Sequence, residues 1–350
     1  MALPAFSFAT TADEVAEALA SEIQGKNVLI TGTSLNGIGF EAARVLARHA
    51  NLVIITGHDA DRLKLAEDAI LRDVPSANIR PLLLDLSSLD AVRKAAGEVN
   101  VYPEPLDVLI HNAAAPHCAF KLTVDGLETQ MATDHIGPFL LTKLLAPKLL
   151  ASAAAAVAAS VSPSFNFVPR VVFVSSQGHT YGTGVDLSAL VRPNAEKYRS
   201  FDAYFQAKSA NALSAIALSR RSGGRINAYS LHPGAIYTNM YTKKESLPDM
   251  QAFGGFRAGI QVLLAQLTRR AGILGPNGEP TDNFKWKTIP QGAATILVAA
   301  FDPRLNDKPG AYLVNCNEAN EERAPHSSDP AVAEDLWRVT EEIIGEQFAF

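Results

Sequence analysis

Tyr204 and Lys208 stand four residues apart in AYFQAKSANAL, so a helix there carries both on one face. A lysine ammonium in that position lowers the proton affinity of a phenol, which makes the tyrosine a usable acid or base. An amphipathic helix face produces the same spacing by chance, and two upstream features give it meaning. The apolar run Val171–Ser175 is followed by Ser176, whose hydroxyl can orient a substrate oxygen. Further back, VLITGTSLNGIG at residues 28–39 reads as a strand, a glycine-rich turn and a helix start. Backbone N–H groups and the helix dipole at such a turn can hold a pyrophosphate. Glycines also serve turns for conformational reasons alone, so the strand-to-helix context carries this reading.

The second apolar run ends in Ile54-Ile55-Thr56-Gly57-His58-Asp59, about 20 residues beyond the glycine turn, where an acidic side chain would bind the adenosine ribose of NAD. Gly57 and His58 leave that position uncharged. With no carboxylate to repel it, a 2′-phosphate is acceptable there, helped by His58 or Arg62, although Asp59 stands close by. The reading favours NADP over NAD. An exposed loop residue with no phosphate role is the rival reading of His58.

Positioning these groups requires an alternation of strands and helices, and short β-branched runs do alternate with segments of helical period from residue 27 onward. Candidate strands are Val28–Thr31, Leu52–Thr56, Ile79–Leu84, Val108–His111, Val171–Ser175 and Ile226–Leu231. Each is continuous enough in apolar character for a parallel strand covered on both faces. Gly39–His49, Asp61–Arg72, Ser88–Val99, Leu127–Leu150 and Phe201–Ser219 read as helices, several opened by Asp or Ser in capping positions. The expected class is α/β, a doubly wound parallel sheet with helices on both faces and right-handed crossovers. Residues 1–24 form an N-terminal extension, 25–316 the sheet domain, and 317–350 a C-terminal helical extension with a helix over Pro330–Gly345. Ala151–Pro169 is a low-complexity stretch that extends the preceding helix or loops over the surface. Over 241–290 the rhythm fades into mixed Gly, Pro, Lys and aromatic residues, as in an insertion beside a ligand pocket.

Composition narrows the partners. The 350 residues are 47% hydrophobic and 19% charged with a net charge of −5, which suits a globular fold and lacks the basic surface that nucleic acid requires. The two cysteines, Cys118 and Cys316, are far apart and form no zinc-ligand spacing, which fits a reducing compartment. MALPAFSFATTADEVAEAL lacks the basic start and apolar stretch of a signal peptide. Phe139–Val161 is the most apolar region, but Lys143, Pro147 and Lys148 interrupt it, so no transmembrane segment is expected. The sequence reads as a cytoplasmic protein.

Taken together, Thr31–Gly39, Asp85, His111-Asn112-Ala113-Ala114, Ser176, Tyr204 with Lys208, and His232-Pro233-Gly234 resemble the short-chain dehydrogenase/reductase family, over residues 25–316. QMATDHIGPFLLTKLL, AYFQAKSANAL, YSLHPGAIYT and PQGAATILVAA with GAYLVNC are most similar to its retinol-dehydrogenase-like and WW-domain-oxidoreductase-like branch. The resemblance implies a single-domain Rossmann fold that binds NAD(P). It places Gly32, Ser34, Gly37, Ile38 and Gly39 at the cofactor phosphates, Asp85 and Leu86 beside the adenine, and Asn112 and Ala113 at the ribose and central strand. Tyr204 would be the general acid/base, Lys208 would hold the nicotinamide ribose while lowering the tyrosine's proton affinity, and Ser176 would polarise the substrate oxygen. Pro233, Gly234, Ile236 and Thr238 would cradle the nicotinamide amide. The family resemblance also allows a homo-oligomer, unless residues 317–350 cover the usual interface.

Three positions depart from the family pattern. Four residues separate Gly32 from Gly37 where the usual form has three, and HNAA at 111–114 replaces the usual Asn-Asn-Ala-Gly. Asp134 stands where the family commonly has an asparagine that anchors a water of the proton relay. An ionised carboxylate near Lys208 would stabilise the ammonium and partly neutralise its effect on Tyr204, so Asp134 is expected to tune proton transfer rather than abolish it. His117 and His179 read as polar loop residues, and Cys118 as a small apolar filler.

The expected reaction is reversible hydride transfer between the nicotinamide and a lipophilic ketone, aldehyde or secondary alcohol. Met250, Phe253, Phe256, Phe284 and Trp286 are candidate pocket walls, or equally core. Two alternatives stand beside it: a non-redox enzyme of the same fold (dehydratase, isomerase or cyclase), and a cofactor-binding regulatory protein with weak chemistry.

Overall fold

The computed structural model describes residues 3–115, 119–159, 167–236, 238 and 285–350, with side chains up to 154 in the second span. Six apolar runs form the strands β1 (Asn27–Ile30), β2 (Leu52–Gly57), β3 (Ile79–Leu83), β4 (Val108–His111), β5 (Arg170–Val174) and β6 (Asn227–His232). Two more follow, β7 (Tyr312–Val314) and β8 (Asn317–Glu318), which sequence reading did not find. The sheet runs β3-β2-β1-β4-β5-β6-β7-β8. All pairings are parallel except that of β7 with β8. β1 pairs with β2 through Val28 and Val53 and with β4 through Val28 and Val108, so the order in which strands are added reverses beside β1. A ligand crevice opens at such a reversal, beyond the carboxyl ends of the strands.

Alternate strand residues feed two cores, because successive side chains leave opposite faces of a strand. Leu29, Leu109, Val171 and Ala228 join one cluster, and Val28, Ile30, Val108, Ile110, Val172 and Tyr229 the other. The first cluster is closed by helices α5 (Leu89–Asn100), α7 (Gly137–Ala159) and α9 (Ser200–Arg221). The second is closed by α1 (Ala12–Ala18), α3 (Ile38–Leu46) and α10 (Ile289–Phe301). Helix starts follow their caps. Asp59 accepts the N–H of Arg62 to open α4 (Ala60–Asp73), and Ser88 accepts that of Ala91 to open α5. Thr288 and Gln291 close a reciprocal capping box on α10. Such a cap is worth about 1 kcal/mol.

The stretch read as one helix over Leu127–Leu150 is three pieces. A short helix α6 (Thr129–Met131) passes into a π turn at Ala132–Ile136 and then into α7, which contains Pro147. By length and composition alone, Thr129–Ala154 is apolar and long enough to cross a membrane. However, 61% of its most apolar window is buried inside the protein, and Lys143 pairs with Glu346 while Lys148 donates to the Glu104 carbonyl at 3.0 Å. The low-complexity stretch extends α7 as far as Ala159. The C-terminal helix α11 (Pro330–Ile344) ends on Gly345 at φ 71°, a left-handed residue that favours glycine. It packs into its own chain: the Trp337 and Phe139 rings lie 4.7 Å apart, and Thr340 bonds His135 at 2.9 Å.

Candidate active site

The glycine turn links β1 to α3, and its glycines are sterically required. Gly32 has φ +73°, and a Cβ there would meet the Ala113 Cα at 2.8 Å. A Cβ on Gly39 would lie 2.3 Å from the Asn112 amide nitrogen and 2.6 Å from the Gly32 carbonyl. Asn112 explains the crowding, since its side-chain amide donates to the carbonyls of both Thr31 and Gly32 at 2.9 Å. The backbone N–H groups of Asn112 and Ala113 in turn donate to the Thr31 hydroxyl at 3.0 Å. Asn112 and Ala113 thus tie β4 to the glycine turn. Gly37 caps α3 without a side-chain hydrogen bond, so the first-turn N–H groups that helices leave unpaired are presented bare. Within the longer spacing from Gly32 to Gly37, Asn36 takes a left-handed φ of 59°.

At the end of β2, Thr33, Ser34, Gly57, His58, Asp59 and Arg62 line a small cleft. His58 is exposed. Asp59 is held below the usual carboxylate range, first by the Arg62 backbone N–H and also by its guanidinium at 3.8 Å. After β3, Asp85 accepts the N–H of Ser87 at 2.9 Å and its hydroxyl at 2.6 Å. Leu86 is buried, and its carbonyl lies 2.3 Å from where a Gly137 Cβ would be, so this turn seats on the start of α7.

The acid/base candidates converge across β5 and α9. Ser176 caps a short turn, Gln177–Thr180, by accepting the Gly178 N–H at 3.0 Å, which leaves the hydroxyl hydrogen for donation. Gly178 marks the meeting point. A Cβ there would touch the Tyr204 ring at 3.0 Å, the Phe205 ring at 3.2 Å and the Ser176 oxygen at 3.4 Å. One turn along α9, the Lys208 ammonium lies 5.4 Å from the Tyr204 ring centroid. Its other contacts are the Asp134 carboxylate at 2.9 Å and the Val174 carbonyl at 3.4 Å. The second Asp134 oxygen accepts the Ala115 N–H at 2.7 Å. Burial pulls the Lys208 ammonium down, but Asp134 and Tyr204 outweigh it and hold its pKa above the ordinary lysine value.

The Pro-Gly loop after β6 completes the crevice. Gly234 sits at φ +100°, and a Cβ there would strike the Lys287 side chain at 2.6 Å. The Lys287 N–H donates to the Ala235 carbonyl at 2.8 Å, and Ile236 bridges to Lys287 in parallel fashion. Ile236 and Ile38 both press on Gly292 at the start of α10, so the loop and the glycine turn share one wall. Pro233 is buried within the loop and Thr238 is partly so. A dinucleotide fits this cradle on steric grounds: bare helix N–H groups face it and three of its glycines admit no side chain.

Several residues take roles that sequence reading did not give them. His111 is buried, bonds Thr142 at 2.7 Å and stacks on Phe173, and burial lowers its pKa to about 3. His179, read from sequence as a polar loop residue, is fully buried: its ring lies 2.6 Å from the Ser176 carbonyl and accepts the Ala324 N–H, which braces the serine turn. Gly178, two residues after Ser176, was the readable hint of close packing there. Lys287 went unnoticed. It is 3% exposed, its ammonium has no hydrogen-bond partner among the described residues, and it lies 4.8 Å from the centre of the Phe8 ring. His117, Cys118, Met250, Phe253, Phe256 and Phe284 lie outside the described residues.

A doubly wound sheet with a glycine-rich phosphate cradle and a Ser-Tyr-Lys cluster defines a dinucleotide-binding protein of the Rossmann type. The family model described as short chain dehydrogenase matches residues 26–177. Over 335 residues the chain is 34% identical to "Short-chain dehydrogenase TIC 32 A, chloroplastic" of Brassica napus, covering 95% of this chain and 92% of that one. It is 32% identical to a WW domain-containing oxidoreductase of Danio rerio (93% and 70% covered) and 31% to retinol dehydrogenase 13 of Mus musculus (92% and 85%). A solved structure of an uncharacterised Mycobacterium paratuberculosis protein aligns over 95% of this chain and 98% of that one, with a TM-score of 0.63 and 26% identity. The chain belongs to the short-chain dehydrogenase/reductase family, in its retinol dehydrogenase and WW-domain oxidoreductase branch.

Proposed function

We propose that the protein is an NADP(H)-dependent reductase of lipophilic ketones and aldehydes, or in reverse a dehydrogenase of secondary alcohols. The observation that carries this reading is the convergence of Tyr204, Ser176 and Lys208 around Gly178 and the end of β5. A nicotinamide held in this cradle would supply or accept the hydride. Ser176 donates its hydroxyl hydrogen to the substrate oxygen and holds it toward Tyr204. Tyr204 delivers the phenolic proton to that oxygen as the carbonyl carbon is reduced, and takes it back in the opposite direction. Lys208 stabilises the phenolate left behind and holds the ribose beside it.

In this reading Gly32, Ser34, Gly37, Ile38 and Gly39 would hold the diphosphate, Asp85, Leu86, Asn112 and Ala113 would flank the adenosine, and Pro233, Gly234, Ile236 and Thr238 would seat the nicotinamide amide. The choice of NADP over NAD rests on His58 and Arg62 lining the cleft at the end of β2, with Asp59 occupied by Arg62. Titration with NADPH and NADH, followed by absorbance assays with a panel of lipophilic carbonyls, tests the reading. Tight NADPH binding with carbonyl-dependent oxidation is expected. Tyr204→Phe should retain NADPH binding and lose turnover about 100-fold or more; wild-type turnover in that variant would defeat the assignment. A second reading, a cofactor-binding protein with weak chemistry, draws on the neutralising Asp134 carboxylate beside Lys208. It predicts tight NADPH binding with no turnover on any carbonyl.

A further inference from the structure

Among the described residues Lys208 is the catalytic group most deeply enclosed, and its side chain is 3% exposed. A bare ammonium at such depth is costly and tends to shed its proton. The Asp134 carboxylate at 2.9 Å, itself 1% exposed, answers that charge directly. Asp134 stands in the π turn at Ala132–Ile136, a deviation from α-helix that is frequent at functional sites. The same carboxylate reaches the Ala115 N–H on the turn that follows β4. One side chain therefore joins the cofactor-side turn to the catalytic helix.

We propose that Asp134 is a positioning residue of the catalytic centre: its carboxylate is the buried counter-ion that keeps Lys208 protonated and fixed beside Tyr204. The proposal deepens the reductase reading and rests on it for its kinetic consequence. The charged or titratable groups acting on Lys208 are Asp134, from the π turn, and Tyr204, from its own helix. β5 contributes only the Val174 carbonyl. Behind Asp134 stands Glu128, whose own carboxyl is raised by burial and by the Asp134 charge, and whose oxygens accept the N–H groups of Gln130 and Met131.

The sign follows from the geometry. With Asp134 present, Lys208 loses its proton only above the ordinary lysine range. In Asp134→Asn the Ala115 hydrogen bond survives through the amide oxygen, while burial acts on Lys208 without its counter-charge. The alkaline limb of the pH profile of kcat/KM for carbonyl reduction should then move to lower pH by about one unit or more. A merely structural Asp134 would leave that limb in place.

A second measurement needs neither cofactor nor turnover. Urea unfolding of the cofactor-free protein is compared for Asp134→Asn and for the double variant Asp134→Asn/Lys208→Met. Removing the stranded ammonium should raise the urea midpoint of the double variant above that of Asp134→Asn. If Asp134→Asn alone does not fold, recovery of a folded chain in the double variant is the same result. An unmoved alkaline limb overturns the proposal, and so does a double variant no more stable than Asp134→Asn. Failure of the wild type to oxidise NADPH with any carbonyl would remove the reductase reading while the urea comparison still judged the ion pair.

Discussion

Two cation–carboxylate pairs occupy different parts of the crevice and differ in almost everything except their chemistry. Lys208 and Asp134 meet at 2.9 Å with side chains 3% and 1% exposed, whereas Arg62 and Asp59 stand 3.8 Å apart and are each 42% exposed. The first pair bridges three segments and is shut away from bulk solvent. The second closes a single helix turn at the tip of β2, where solvent screens it. On the proposed reading, burial makes the first pair a fixed part of the catalytic centre and exposure leaves the second adaptable, able to exchange its partner for a ligand phosphate.

The largest effect should come from breaking the buried pair at the lysine. Lys208→Met strands the Asp134 carboxylate, and about 3–5 kcal/mol of unfolding free energy should be lost. Turnover should fall together with stability, read by urea unfolding and by initial rates. Little change in either would mean that the pair is not the buried unit its distances describe. Next in size comes the frame between the two pairs. Gly39→Ala would force a methyl against the Asn112 amide and the Gly32 carbonyl, costing about 1–3 kcal/mol. NADPH affinity should drop by about tenfold or more, by the usual relation of free energy to affinity. A titration with unchanged affinity would argue that the glycine turn does not seat the diphosphate.

The contrast also explains how far the sequence could be read. Strands β1 to β6 were legible because apolar residues run through each of them, even in β3, which carries Arg80 and Pro81 and is largely uncovered, and α4 and α5 because Asp59 and Ser88 cap them. Tyr204 and Lys208 were legible because their relation is local, four residues on one helix. β7 and β8 were not, since three and two residues carry no periodicity. The π turn was hidden for a similar reason, because a helix that widens by one residue keeps an apolar pattern and merged with its neighbours into a single predicted helix. Asp134 was singled out only through the family resemblance, which put it near Lys208; the direct contact joins distant parts of the chain, which spacing alone cannot reveal. Lys287 lay beyond reach altogether, because its burial depends on Phe8 and Gly234, which come from two remote segments.

The smallest predicted effects test the exposed pair. Arg62→Ala should leave the urea midpoint nearly unchanged, because a screened surface pair contributes little to stability. It should instead weaken NADPH more than NADH, by roughly tenfold, since a lost charge-assisted contact to a phosphate acts only on the cofactor that carries one. Asp59→Asn is the finer probe. Asparagine caps a helix about as well as aspartate, so α4 should persist and only the charge is removed. The Asp59 carboxylate is held below its usual range, so whatever stability it contributes is present above the unfolded carboxylate pKa and is lost as pH falls through the folded one. At neutral pH that leaves one expected consequence: less repulsion of a 2′-phosphate, and an NADPH-over-NADH preference that rises by a few-fold. A preference that shifts toward NADH instead would mean that Asp59 reads a ribose hydroxyl, and the adenosine end of the site would then be built for NAD.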